Sequence, residues 1–543
     1  MSLFKLNLTN FLILFATYIF ILFLVLPGCS DTNEKYSAVV SAGSPEAVSA
    51  GLEILRKGGN AVDASIAVAF ALAVTEPAQS GLGGQAQFLI CQPGKEPIII
   101  NGTSFSPSTL SENISKEDLI KYKATTIPSM VKALGYLWKN YSAGLEWSDL
   151  LKPAIYFAKK GFPLSDFRQS VLEYKAEELR KDSIITRLFL GENGLLINKN
   201  EIWKQPVLVK TLNRLAQYGS EDFYTGEIAK KMANDMRLNN GWLTINDLNK
   251  LPEPFEQKPL KGTYRGYEIY TMPPPGGGWV IIQALNILEM YPTEDLALKS
   301  ITRLKLISQA LQIAHLSRSK NPVEDLINYQ EDVNLKTNKD YAKELIDNSN
   351  GETTHFSVVD KNGMVVSATL SINNYFGSKA AGPELGFLYN DYMNEFRLDE
   401  PNHPFNLLPD AMPYSSMTPT ILMKDDIPVM AIGSPGSERI ISAIVQIISL
   451  WVDAELSIEE AVSHPRIHLT PEKVIYIESD NLSDEEKLLI EKAGFTFEVP
   501  PSEIIINGLN PYFGGINTVA FENEQWKGAA DPRRDGAVGY KLK

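Results

Sequence analysis

Hydrophobic and polar positions recur along this chain in two rhythms. From Thr354 the rhythm is two: Thr354, Phe356 and Val358 alternate with His355, Ser357 and Val359, which predicts a β-strand. Lys361-Asn362-Gly363 follows as a hairpin loop with glycine where a positive φ is needed, and Met364 to Ser371 predicts the returning strand. If the loop holds three residues, Thr353 lies opposite Ser371 and Asn373 follows on the same face. A two-residue Asn-Gly turn would slip the register and point Ser371 away. The three-residue register is the expectation, and it gathers two hydroxyls and an amide around the first residue of a strand.

The other rhythm is helical. Ser44-Pro45 reads as an N-cap followed by proline at the first helical position, and the helix runs to about Lys57, where Gly58-Gly59 stops it. From Asn60 to Thr75 a second helix is predicted, with Val62, Ile66, Ala69 and Ala73 at helical spacing. Alanine fills much of the rest, so this helix is expected to be buried; it is too short to span a bilayer. Glu76-Pro77 ends it. Gly81-Leu82-Gly83-Gly84 then leads into a strand at about 86–91, and another strand is expected at 98–101. Further helices are expected at about 280–290 and 440–452.

Residues 1–28 break both rhythms. Lys5 is the only early charge and the run from Phe11 to Leu26 is almost wholly apolar. Leu26-Pro27-Gly28-Cys29-Ser30 follows, and Cys29 resembles the lipidated cysteine of a bacterial lipoprotein signal. The expectation is a signal peptide at 1–28 and an exported, cell-envelope protein with a possible lipid anchor at Cys29. An uncleaved membrane anchor is the alternative, although the apolar run is slightly short for a span. Cys29 and Cys91 are the only cysteines, which excludes a disulfide framework.

Composition adds bounds. The 543 residues are 44% hydrophobic and 21% charged, ordinary for a globular protein. A net charge of −14 excludes nucleic acid as a partner, because phosphate binding needs a basic face. Histidine is scarce at five residues. His464 and His468 have the spacing of a helical metal pair, but Pro465 opposes a helix there, so neither metal nor cofactor is expected. The tract from Met272 to Gly278 is not a phosphate loop, since no Lys-Ser/Thr follows it.

Chemistry enters at Thr353. A threonine hydroxyl inside a chain is a poor nucleophile, whereas at a chain start the residue's own α-amine can take its proton. Asn348, Ser349, Asn350 and Gly351 stand just ahead, a polar segment that suits a cut between Glu352 and Thr353. An uncut surface loop leading into an ordinary strand would look the same.

Thr353-Thr354-His355 followed by Ser357-Val358-Val359-Asp360 resembles the autoprocessing signature of the γ-glutamyltranspeptidases, or glutathione hydrolases. These are N-terminal-nucleophile hydrolases, a superfamily that includes cephalosporin acylases. The block from Gly58-Gly59-Asn60-Ala61 through Gly83-Gly84 resembles the same family, as do Ser415-Ser416-Met417-Thr418, Gly433-Ser434-Pro435-Gly436-Ser437 and Asp531-Pro532-Arg533-Arg534. The resemblance implies an α+β fold, a four-layer αββα sandwich, cut into a large subunit (29–352) and a small one (353–543). It implies an acyl-enzyme on Thr353, with Ser371 tuning the nucleophile and the Gly436 and Ser437 amides forming the oxyanion hole. Asn373, Glu395, Ser415 and Ser416 would line the acyl pocket, and water or an amine would accept the acyl group.

Three positions depart from the family pattern. Thr103 stands where an arginine grips the substrate carboxylate, Tyr392 where Gln or Glu is common, and Glu395 where Asp is usual. Three readings follow: a γ-glutamyl hydrolase or transferase, an N-acyl amide acylase with another acyl group, and an inactive envelope scaffold. Thr103 and Tyr392 favour the second; the nucleophile, Asn373 and the Gly436 turn oppose the third.

Overall fold

The computed structural model describes residues 36–190, 194–199, 201–338, 353–398, 400–469, 473–478, 482–498, 500 and 504–542. The expected signal segment 1–28, Cys29, and Glu352 with the polar run at 339–352 lie outside the described residues.

Local rules set the first elements. The Ser44 hydroxyl accepts the Ala47 amide and caps the helix Pro45–Arg56. Asn60 and Asp63 cap the next helix, Ala61–Thr75, reciprocally. All 15 residues of that helix are buried. At the hairpin, Thr354 pairs with Leu370 and Val359 with Val365, which is the three-residue loop, and Gly363 takes φ +84°. Asp360 ties this turn to the second helix. Its Oδ1 accepts the Asn362 and Met364 amides, and its Oδ2 accepts the Ala61 amide at 3.0 Å, a carboxylate seated at a positive helix end.

Two antiparallel sheets form the interior. The larger runs Ala537–Leu542, Tyr36–Ala42, Thr354–Val359, Val365–Ser371, Gln85–Cys91, Ile98–Gly102 and Phe255–Gln257. The smaller runs Gln525–Ala530, Asn517–Glu522, Ile427–Ile432, Thr420–Lys424, Tyr267–Thr271 and Leu260–Tyr264. Each sheet draws strands from both sides of residue 353, so a cut there leaves every strand hydrogen-bonded in place.

The helices Pro45–Arg56 and Ala61–Thr75 pack on the outer face of the larger sheet, and Gly278–Glu289 with Arg439–Val452 cover the smaller. Val39, Leu89, Val359, Ile421, Ala431 and Val519 fill the space between the sheets. The molecule is therefore the expected αββα sandwich. Predicted element ends moved by one or two residues, as helix and strand ends do.

In the strand Thr354–Val359 the alternation does not divide core from solvent, since all six residues are buried. Phe356 and Val358 face the helices, while Ser357 donates towards the carbonyls of Ala431 and Asn517 in the other sheet. His355 sits between Thr369 and Ser357. Burial pushes it down to about 3, so it stays neutral and serves the sheet interface.

Candidate active site

Seven of the expected residues meet in one cleft. Thr353, Asn373, Tyr392, Glu395, Ser415, Ser416 and Ser437 line it, together with Tyr414 and Met417. Its free volume is about 10 Å³, room for about one water molecule. Larger crevices lie elsewhere, such as one of about 280 Å³ beside Arg303, but Thr353 lines none of them.

One wall is acidic. Asn373 sits at φ +73°, in the left-handed region that asparagine tolerates better than most residues. From there its side chain donates to Glu395 Oε1 at 2.9 Å and towards the Asp391 carbonyl. Burial raises the Glu395 carboxyl to about 7; Asn373 opposes the rise, and Asp391 and Glu438 add to it. Buried Asp391 is raised as well. A buried carboxyl raised in part by neighbouring acids favours a cation placed beside it.

The facing wall is built of hydroxyls. Ser415 Oγ accepts the Met417 amide at 3.2 Å. Ser416 Oγ accepts from Arg318 Nη1 at 2.9 Å, and Arg318 Nη2 donates to the Ser415 carbonyl. The guanidinium lies over the Tyr414 ring, 4.2 Å from its centre. Gly277 makes room for it, since a Cβ there would come within 3.0 Å of the guanidinium carbon. The Pro-Gly tract that was no phosphate loop thus forms part of the floor under this wall.

The Gly433–Ser437 turn borders the cleft through Ser437. Gly436 takes φ +117° and Ser437 φ +58°, the latter an uncommon conformation for a residue with a Cβ. Among the described residues neither backbone amide donates to a protein acceptor. Arg534 fixes the loop beside this turn, donating to the Gly514 and Pro511 carbonyls and to Gln79.

Three expected residues, Ser371, Gly436 and Thr103, are not on the lining itself. Ser371 is buried opposite Thr353 in the register, and its Oγ accepts the Asn373 amide at 2.8 Å. Gly436 precedes Ser437 in the turn.

Thr103, which stands where the family's arginine grips substrate, is not among the residues that line the cleft. Thr103 is buried behind Gln85, to which its hydroxyl donates at 3.2 Å. Tyr392 interacts with both Gln85 and Ser371, and burial raises its phenol. Gln85 and Tyr392 thus bridge from Thr103 to Ser371.

Sequence reasoning missed Arg318 and Glu76. Arg318 is one of two buried arginines of the helix Arg303–Lys320, a signal that burial makes meaningful only after folding. Glu76 ends the all-buried helix, is itself buried, and accepts from the Thr354 hydroxyl at 2.7 Å. Burial raises it to about 7. An acid closing an apolar helix was the visible clue.

Comparison with known proteins gives a consistent result. A family model, Gamma-glutamyltranspeptidase, matches residues 47–540. The glutathione hydrolase proenzyme of Escherichia coli is 30% identical over 473 residues, covering 79% of this chain and 80% of that protein. Acylase ACY 1 proenzyme of a Pseudomonas species is 30% identical over 550 residues, covering 94% and 96%. The crystal structure of a cephalosporin acylase from Bacillus halodurans superposes with a TM-score of 0.84 at 26% identity, covering 93% of this chain and 96% of the other.

Proposed function

The chain belongs to the gamma-glutamyltranspeptidase family, and we propose that it cuts itself ahead of Thr353 and then cleaves γ-glutamyl amide bonds, as in glutathione and its conjugates. The observation that carries this reading is the division of the cleft. Glu395 with Asn373 stands on one side, and the Ser415 and Ser416 hydroxyls stand on the other. An acyl group that ends in an ammonium beside a carboxylate matches both walls at once.

The chemistry follows from one residue. Thr353 Oγ attacks the carbonyl carbon of residue 352, and the peptide nitrogen leaves as the Thr353 amine. Water opens the resulting ester and frees the chain start. That amine then takes the hydroxyl proton as Oγ attacks a substrate amide. The Gly436 and Ser437 amides hold the oxyanion, each such donor being worth about 3–4 kcal/mol. Collapse expels the substrate's amine, which carries the proton away. Water or a second amine then lifts the acyl group from Thr353.

The second reading is an acylase for a non-glutamyl N-acyl amide. It rests on Thr103, which brings no charge to the cleft, and on acylases among the relatives. We further propose export, with anchorage through Cys29, on the strength of the apolar run at 11–26.

A denaturing gel tests the first step: wild-type protein gives two fragments and Thr353→Ala gives one. A panel of 4-nitroanilides separates the readings. Faster turnover of the γ-glutamyl anilide than of glutaryl or aliphatic acyl anilides is expected; the reverse order rejects the γ-glutamyl reading.

A further inference from the structure

We propose that Arg318 is a positioning residue for substrate, supplying through Ser416 the positive charge that holds the carboxylate of the acyl group. The inference rests on the γ-glutamyl reading and deepens it: the donors would be those with a free carboxylate next to the ammonium.

Three observations converge. First, Arg318 is 4% exposed and, among the described residues, its guanidinium contacts the Ser416 hydroxyl, the Ser415 carbonyl and the Tyr414 ring but no carboxylate. Burying an arginine without a counter-ion is costly, so its place is understandable if an anion joins it in the working enzyme. Second, the direction of the hydrogen bonds is fixed. A guanidinium only donates, so Ser416 Oγ is the acceptor, and its own proton is left to point elsewhere. Ser415 Oγ likewise accepts, from the Met417 amide. Both hydroxyls line the cleft, so both protons are available to an anion there. Third, no cationic side chain lines the cleft among the described residues, and Thr103 lies outside its lining. Arg318 is the cation in contact with that wall. Its bond to Ser416 polarises the hydroxyl and strengthens it as a donor.

The test compares two donors on the cleaved, full-length enzyme: γ-glutamyl-4-nitroanilide and 4-aminobutyryl-4-nitroanilide, which lacks only the carboxylate. Arg318→Gln is expected to raise KM for the first by roughly 10- to 100-fold with kcat nearly unchanged, the scale of a lost charge-assisted bond. KM for the second should not move. Equal loss on both donors would assign Arg318 a purely structural role and overturn the proposal. Should Arg318→Gln fail to cleave itself, Arg318→Lys decides. An ammonium is not a two-pronged donor to the Ser415 carbonyl and Ser416 hydroxyl, so the preference for the carboxylate donor should fall roughly three- to tenfold. A preference equal to wild type overturns the proposal. A wild type that treats both donors alike overturns the γ-glutamyl reading together with the relay. A wild-type preference that Arg318→Gln leaves intact overturns the relay alone.

Discussion

The two walls of the cleft are made in different ways. Asn373 and Glu395 are 22 residues apart, join one another directly, and belong to one continuous run of chain after the hairpin. The hydroxyl wall depends on Arg318, 98 residues before Ser416 and on the other side of the proposed cut. The acidic wall places its charge on the lining, whereas the hydroxyl wall keeps its charge one side chain back. A pocket of this kind holds opposite charges apart without letting them neutralise one another. It also explains why the absence of a charge at Thr103 does not leave the cleft one-signed.

Several measurements can break or sharpen this contrast. The largest effect is expected at the residue between the walls. Thr353→Ala should leave a single band on a denaturing gel and lower amide turnover on the order of 10⁴-fold or more. Unimpaired turnover by the uncut variant would remove the shared centre on which both walls act.

Next is the acidic wall alone. Glu395→Ala should raise KM for γ-glutamyl anilides roughly 10- to 100-fold and leave glutaryl anilides, which lack the amine, unchanged. Equal effects on both donors would mean that Glu395 shapes the cleft and does not read an ammonium.

A smaller effect is expected in the pH profile. Glu395 must be ionised to hold an ammonium, and its carboxyl lies at about 7. Below that value, kcat/KM for amino-bearing donors should fall with a slope of about two in logarithmic terms. One unit comes from Glu395 and one from the Thr353 amine, whose ordinary range is about 7.7–8. Donors without an amine should show a slope of about one. Identical slopes would argue that Glu395 is not engaged.

The smallest effect separates the cleft acid from a second acid of similar pKa outside it. Glu76 is also raised to about 7, by burial under the hairpin. Its folded value lies above its unfolded one, so the folded state binds that proton more tightly. Stability from this group is therefore complete below about 4.5 and is lost as pH rises through about 7. Glu76→Gln should raise the melting temperature at pH 8 by about 1–3 °C and leave it unchanged at pH 4. Donor preference should stay at the wild-type value; a changed preference would join Glu76 to the acidic wall.

Much of the fold was legible because its signals are local. Ser44, Asn60 and Asp63 satisfy amides within three residues of themselves, and Gly363 sets the hairpin loop and hence the register. The gathering of Thr353, Asn373, Glu395, Ser415, Ser416 and Ser437 in one cleft was expected from the family resemblance, and the structure brings them together. That Thr103 sits behind Gln85 and off the lining was not legible, because its position along the chain says nothing of Gln85 and Tyr392 standing nearby. Glu76 was missed because an acid closing an apolar helix looks like an exception until its partner is known, and Arg318 because one cation among several in a mixed helix does not show which is buried.

The chain by itself determined, to within a residue or two, where elements begin and end and that a glycine-bearing hairpin follows the strand headed by Thr353 and Thr354, because those choices are settled by hydrogen bonds between near neighbours. Only the tertiary structure decided that the polar side of that strand faces another sheet, that Arg318 lies against the serine pair, and that the cleft has two signs. Those outcomes depend on which distant surfaces are buried against one another, and a side chain's charge acquires its effect from the low-polarity surroundings that such packing creates.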